Sequence, residues 1–155
     1  MRVTSMVAGL ALILAACAGG DNAGDQATTA ADSAANAPAV TTPAAGATHN
    51  VEMTMVDGQP RYVPAQLTVK AGDVVRFVNK QGGPHNVAFW ADSMPAGGAN
   101  AIQISDPMAA LTSQMLMEMD AVVTVNVAAN APTGTYKFVC QPHQAQGMTG
   151  ALTVQ

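Results

Sequence analysis

Cys140-Gln-Pro-His143-Gln-Ala-Gln-Gly-Met148 places a thiol, an imidazole and a thioether within nine residues, directly after the strand-like run Gly134–Val139. A thiolate with two imidazoles and a weak, distant thioether is the donor set that suits copper alternating between Cu(I) and Cu(II). The loop lacks one imidazole. The chain has three histidines, His49, His85 and His143. His85, in Gly-Pro-His85-Asn86, opens an apolar run in which a period of two puts His85, Val87 and Phe89 on one packing face. His49 has no donor near it in sequence and reads as a surface residue. The same residues allow a plainer assignment: a buried core thiol at Cys140, a satisfied core histidine at His85, a surface histidine at His143 and a packing methionine at Met148. That assignment must explain why all four fall where strands end or begin.

The elements that would position these donors are short and alternating. His49–Val56 carries Val51, Met53 and Met55 on one face, which predicts a half-buried first strand. After the Asp57-Gly58 turn, Tyr62–Lys70 reads as a second segment, with Pro64 confining its start to an edge or bend. Asp73–Asn79 is a third strand. Later runs place Val123, Val125 and Val127 on one face, then Tyr136, Phe138 and Cys140, then Met148, Gly150, Leu152 and Val154. Such strands with little helix predict an antiparallel sandwich or barrel. Residues 91–119 are the least regular, with a short strand expected at Ala101–Ile104 and one or two helical turns within Pro107–Met119. Leu111, Met115 and Met119 fit a helical stripe of flexible core filler, while the richness in Met also admits a copper-trafficking role.

The ends and composition bound the setting. Arg2 followed by the apolar run Val7–Ala16 is too short to span a bilayer and reads as a secretory signal over residues 1–16. Leu14-Ala-Ala-Cys17 resembles the lipobox of bacterial lipoproteins, which implies cleavage before Cys17 and a lipid on its thiol; an ordinary signal peptide is the alternative. Two acyl signals or more suffice for stable anchoring, and Ala18 rather than Asp after the cysteine resembles outer-membrane sorting. Residues 17–48, rich in Ala, Gly, Thr and Pro, bury too little apolar surface to fold and read as a tether with a reach of roughly 30 Å. Residues 49–155 form one domain. Its five basic and seven acidic residues leave a scattered −2, which argues against nucleic acid as a partner. With Cys17 lipidated, Cys140 is the one thiol left in an oxidising compartment, where a bound metal would protect it.

Gly134–Met148 resembles the copper loop of plastocyanins and related small cupredoxins, with Cys-x-Pro-His and a Met five residues on. Asn79–Val87 resembles their upstream ligand motif, and Tyr62–Asp73 resembles their second and third strands. The resemblance implies an all-β Greek-key sandwich of about eight strands, with a short helical or irregular insertion around 105–119. It implies one copper per chain, held by His85, Cys140 and His143 with Met148 as the axial ligand. Asn86 resembles the residue whose backbone N–H faces the thiolate sulfur. Pro142 has no N–H to add, so hydrogen bonding to sulfur should be sparse. His143 corresponds to the family's surface port for electrons. The implied role is a monomeric, non-enzymatic carrier of single electrons between periplasmic or membrane partners such as cytochromes or membrane oxidoreductases. Multicopper enzymes need more histidines, and a dinuclear copper A centre needs a second cysteine in the loop. Copper delivery or sequestration by a lipoprotein, using the Met-rich segment, is the rival role.

Overall fold

The structure, a computed structural model, describes residues 46–81 and 83–155. The expected signal sequence, Cys17 and nearly all of the expected tether lie outside those residues. The described residues form eleven strands: β1 Thr48–Val56, β2 Gln59–Val63, β3 Gln66–Val69, β4 Val74–Asn79, β5 Ala88–Phe89, β6 Ile102–Ile104, β7 Pro107–Ala109, β8 Thr112–Ser113, β9 Val122–Val127, β10 Gly134–Val139 and β11 Thr149–Val154. They make two sheets, ordered β2-β1-β4-β9-β6 and β3-β11-β10-β5-β8-β7. The expected all-β sandwich is what the chain forms. The count exceeds about eight because several strands have only two or three residues.

Alternation along each long strand builds the interior. Val51 and Met53 of β1, Val75 and Phe77 of β4, Val123, Val125 and Val127 of β9, Tyr136 and Phe138 of β10, and Leu152 and Val154 of β11 are all buried. Tyr62, Phe77 and Phe138 meet edge to face with centroids 4.8–5.9 Å apart. Pairs of this kind are worth about 0.5–1.5 kcal/mol each beyond the area they bury. Met55 departs from its expected face and is exposed, because the β1–β2 hairpin runs past the end of β4.

Three local expectations change. The segment Tyr62–Lys70 is two strands in different sheets: the chain leaves β2 at Val63, passes Pro64 and enters the second sheet as β3. Residues 85–89 do not alternate but are buried throughout, because β8 and its flanks cover their outer side. Residues 107–119 form no helical turn. They make the β7–β8 hairpin, with Leu111 in the left-handed region at φ 61°, followed by a loop whose Leu116 pairs with His85. Met108, Met117 and Met119 are more than half exposed, so the stripe of core filler does not form.

Strand direction gives the sandwich a polarity. β1 runs parallel to β4, with Thr48 beside Val74 and Met53 beside Asn79, and β4 leads into the loop before His85. β10 leads into Cys140, and β11 returns from Met148 alongside β3 to end with Val154 beside Val69. The candidate donors therefore gather at one end. Residues 46–48, the 70–73 turn and the C-terminal residue gather at the other.

Candidate metal centre

His85, Cys140 and His143 converge. Each offers one donor atom, and the three atoms lie within 4.8 Å of one another. Cys140 Sγ stands 3.7 Å from His85 Nδ1 and 3.4 Å from His143 Nδ1. For metal–ligand bonds of about 2.0–2.3 Å these separations subtend roughly 100–120° at a shared ion. The imidazole rings are 4.7 Å apart and tilted by 49°, so both aim inward without stacking. A soft thiolate beside two imidazoles fits copper.

The local sequence explains the convergence. β10 delivers Cys140 on its buried face, following Tyr136 and Phe138. Pro142 sits in the first turn of the short 3-10 segment Gln141–Gln146, where its missing N–H costs nothing and its ring fixes the backbone. That turn points the His143 ring back toward Cys140. Gly147, at φ 74°, reverses the chain. The loop then closes on itself, with Met148 N–H donating to His143 O and Cys140 N–H donating to Met148 O at 3.0 Å. Met148 is fully buried in the core cluster that contains Cys140. His85 is held from the other side: it exchanges both backbone hydrogen bonds with Leu116, and Asn79 Nδ2 donates to Gly83 O and Leu116 O.

Asn86 joins the two loops. Its Nδ2 donates to Gln141 Oε1 at 2.8 Å and its Oδ1 accepts the Gln141 N–H at 2.9 Å. Burial pushes the Cys140 thiol up, while the backbone N–H groups of Asn86 and His143 pull it down. Pro142 adds no donor, and the His143 N–H that follows it donates to the Cys140 carbonyl at 3.1 Å. Burial, then the neighbouring His143, lowers the basicity of His85. The His85 imidazole is therefore suited to act as a neutral donor.

Other residues were not visible as site residues in the sequence. Tyr62 is buried, and its hydroxyl donates to the Asn86 carbonyl. Burial and the charge of a Cys140 thiolate raise its pKa well above that of an ordinary phenol. A tyrosine on the packing face of a strand must find a partner for its hydroxyl, which was the one available signal. His49 is not a free surface histidine: its Nε2 lies 2.8 Å from Asp73 Oδ2, at the end of the sandwich away from the donors.

Three comparisons bear on this geometry. The profile of copper binding proteins of the plastocyanin/azurin family matches residues 49–155. Plastocyanin of Nostoc punctiforme is 36% identical over 118 residues, covering 76% of this chain and 81% of that protein. Chloroplastic plastocyanin of Pisum sativum is 42% identical over 98 residues, which cover 63% of this chain and 54% of the pea protein's length. The solved structure of oxidized plastocyanin from Dryopteris crassirhizoma superposes with a TM-score of 0.53 at 29% identity, over 68% of this chain and 99% of that one. With one copper as its cofactor and a cupredoxin sandwich around it, the chain belongs to the plastocyanin/azurin family of copper-binding proteins.

Proposed function

We propose that the chain carries single electrons between protein partners outside the cytoplasm, using one copper that His85, Cys140 and His143 would hold with Met148 as the fourth ligand. The observation that carries this reading is the gathering of two Nδ1 atoms around one buried sulfur at the end of a rigid sandwich. Bound copper supplies one-electron chemistry by alternating between two oxidation states. The protein's own residues do the rest. Asn86 and Gln141 tie the two donor loops together, the core fixes Cys140 and Met148, and burial keeps water from the sulfur, so that little need move when the charge changes. The half-buried His143 is the port through which a partner exchanges electrons. The chain acts as a carrier, not an enzyme. Its partners are redox proteins such as cytochromes or membrane oxidoreductases, and Cys17 carries the lipid that holds the monomer at a membrane, the outer membrane of a bacterium by its Ala18.

Copper-loaded protein should show an intense visible thiolate-to-Cu(II) band, and Cys140→Ser should abolish it; a colourless Cu(II) complex would defeat the reading. One observation favours the delivery reading: Met108, Met117 and Met119 expose their thioethers, soft ligands suited to Cu(I). Redox titration separates the two. A reversible couple with fast self-exchange, unchanged when the three methionines become leucine, marks the carrier. Cu(I)-only binding with rapid transfer to an apo-acceptor, lost in that variant, marks delivery.

A further inference from the structure

Asn86 stands between two peptide groups, and hydrogen bonds hold both. The His85–Asn86 peptide has its N–H close enough to Cys140 to pull the thiol's pKa down, and its carbonyl accepts the Leu116 N–H at 2.7 Å. The Asn86–Val87 peptide accepts the Tyr62 hydroxyl at its carbonyl, and its N–H donates to Ser113 Oγ at 3.0 Å. Ser113 passes its own proton on to Gln114 O at 2.9 Å. A chain of hydrogen bonds thus crosses from β2 in one sheet, through the peptide behind His85, to β8 in the other. Asn86 and Ser113 are fully buried and Tyr62 is 2% exposed, so water does not compete and each bond polarises the next. Nothing in the copper chemistry itself calls for either hydroxyl.

We propose that Tyr62 and Ser113 are positioning residues of the metal centre: by clamping the Asn86–Val87 peptide from both sides they fix how firmly the Asn86 N–H is held on the Cys140 sulfur, and thereby the balance between the two oxidation states of bound copper. The proposal rests on Cys140 being a ligand. A hydrogen bond to a ligating sulfur draws negative charge away from the metal and favours the less charged state, Cu(I). Loosening the clamp weakens that bond and favours Cu(II). Through its hydroxyl, Tyr62 is the donor to the Asn86 carbonyl. Its ring is held independently by Phe77 and Phe138, so Tyr62→Phe removes the hydroxyl and leaves the packing.

The test compares Tyr62→Phe, Ser113→Ala and the double variant with Tyr136→Phe. Tyr136 is also buried, but its hydroxyl donates to Pro132 O at 2.7 Å, a strand's length from the centre. In each of the first two variants the reduction midpoint should fall. The size should be roughly threefold to tenfold in the Cu(I)-to-Cu(II) affinity ratio, the worth of one hydrogen bond, or about 30–60 mV for one electron. The double variant should shift by less than the sum, because both changes release the same peptide. In the copper-free protein, amide exchange at Asn86 and Val87 should quicken. Tyr136→Phe should lower the Tm without moving the midpoint. If Tyr62→Phe and Ser113→Ala lower the Tm while the midpoint, the visible band and those amides stay as they were, the two hydroxyls are only structural and the proposal is overturned. A failed copper assignment would show differently, as the absence of the visible band in the unaltered protein.

Discussion

The carboxamide of Asn86 makes two hydrogen bonds to one residue 55 positions away, and both are at least partly buried. Asn86→Ala leaves the Gln141 N–H without its acceptor, which should cost about 1–3 kcal/mol, read as a lower denaturant midpoint of the copper-free protein and a faster loss of copper. Gln141→Ala deletes only the amide contact and should cost less. Cys140, His143 and Met148 are legible in the sequence because their spacing is local and a single turn brings them together. His85 is legible because it opens an apolar run beside a proline turn. The partners of these residues are not. Tyr62 reaches Asn86 across 24 positions, and His49 reaches Asp73 across another 24. No periodicity marks a side chain whose role is set by a partner more than twenty positions away.

At the level of elements, β10 and β11 carry the centre, and their fit depends on Gly150. It lies opposite Phe138 in the register, and a Cβ there would come within 2.4 Å of Phe138 Cζ and 2.8 Å of Ala65 O. The backbone at Ala65 cannot retreat, since its carbonyl also accepts the Ala151 N–H. Gly150→Ala should therefore cost about 1–3 kcal/mol as an overpacked core, and the Phe138 ring displaced by it should disturb the Cys140 end of β10. Thermal unfolding of the copper-free variant measures the first effect, and the width of the thiolate-to-copper band in the loaded variant measures the second. The long strands were legible because four or more alternating residues define a face. β5 and β8 have two residues each, too few to carry a period. Residues 107–119 misread as helical because Leu111, Met115 and Met119 fall at helical spacing by chance, while the left-handed residues Leu111 and Asp120 turn the chain.

Across the whole molecule, the end opposite the metal centre is closed by Asp73. Its carboxylate accepts the backbone N–H of Lys70 and of Ala47 and pairs with His49, joining the β3–β4 turn to the first strand. The Lys70 N–H foremost, with His49 and Ala47, holds its carboxyl below the usual range against the opposing effect of burial. A carboxyl so lowered adds stability that is complete above about pH 4, its value in the unfolded chain, and drains away as the pH falls through the folded value. Asp73→Asn should lower stability at neutral pH by about 1–3 kcal/mol, and urea midpoints measured against pH should show the two proteins converging in acid. The molecule's architecture at this scale was legible as a sandwich with its donors at one end, but not the closure of the far end, because residues 47 and 49 lie more than twenty positions from residues 70 and 73. The parallel pairing of β1 with β4 and of β3 with β11 puts residue 46 and the last residue, whose N–H donates to Val69 O, at that same far end. Six-residue strands, about 20 Å long, separate both from His143. An electrode linker or a second redox protein attached at residue 46 or residue 155 would thus leave the His143 face uncovered, and a tandem array of this domain joined at those residues would present every proposed port on the side away from its splice points.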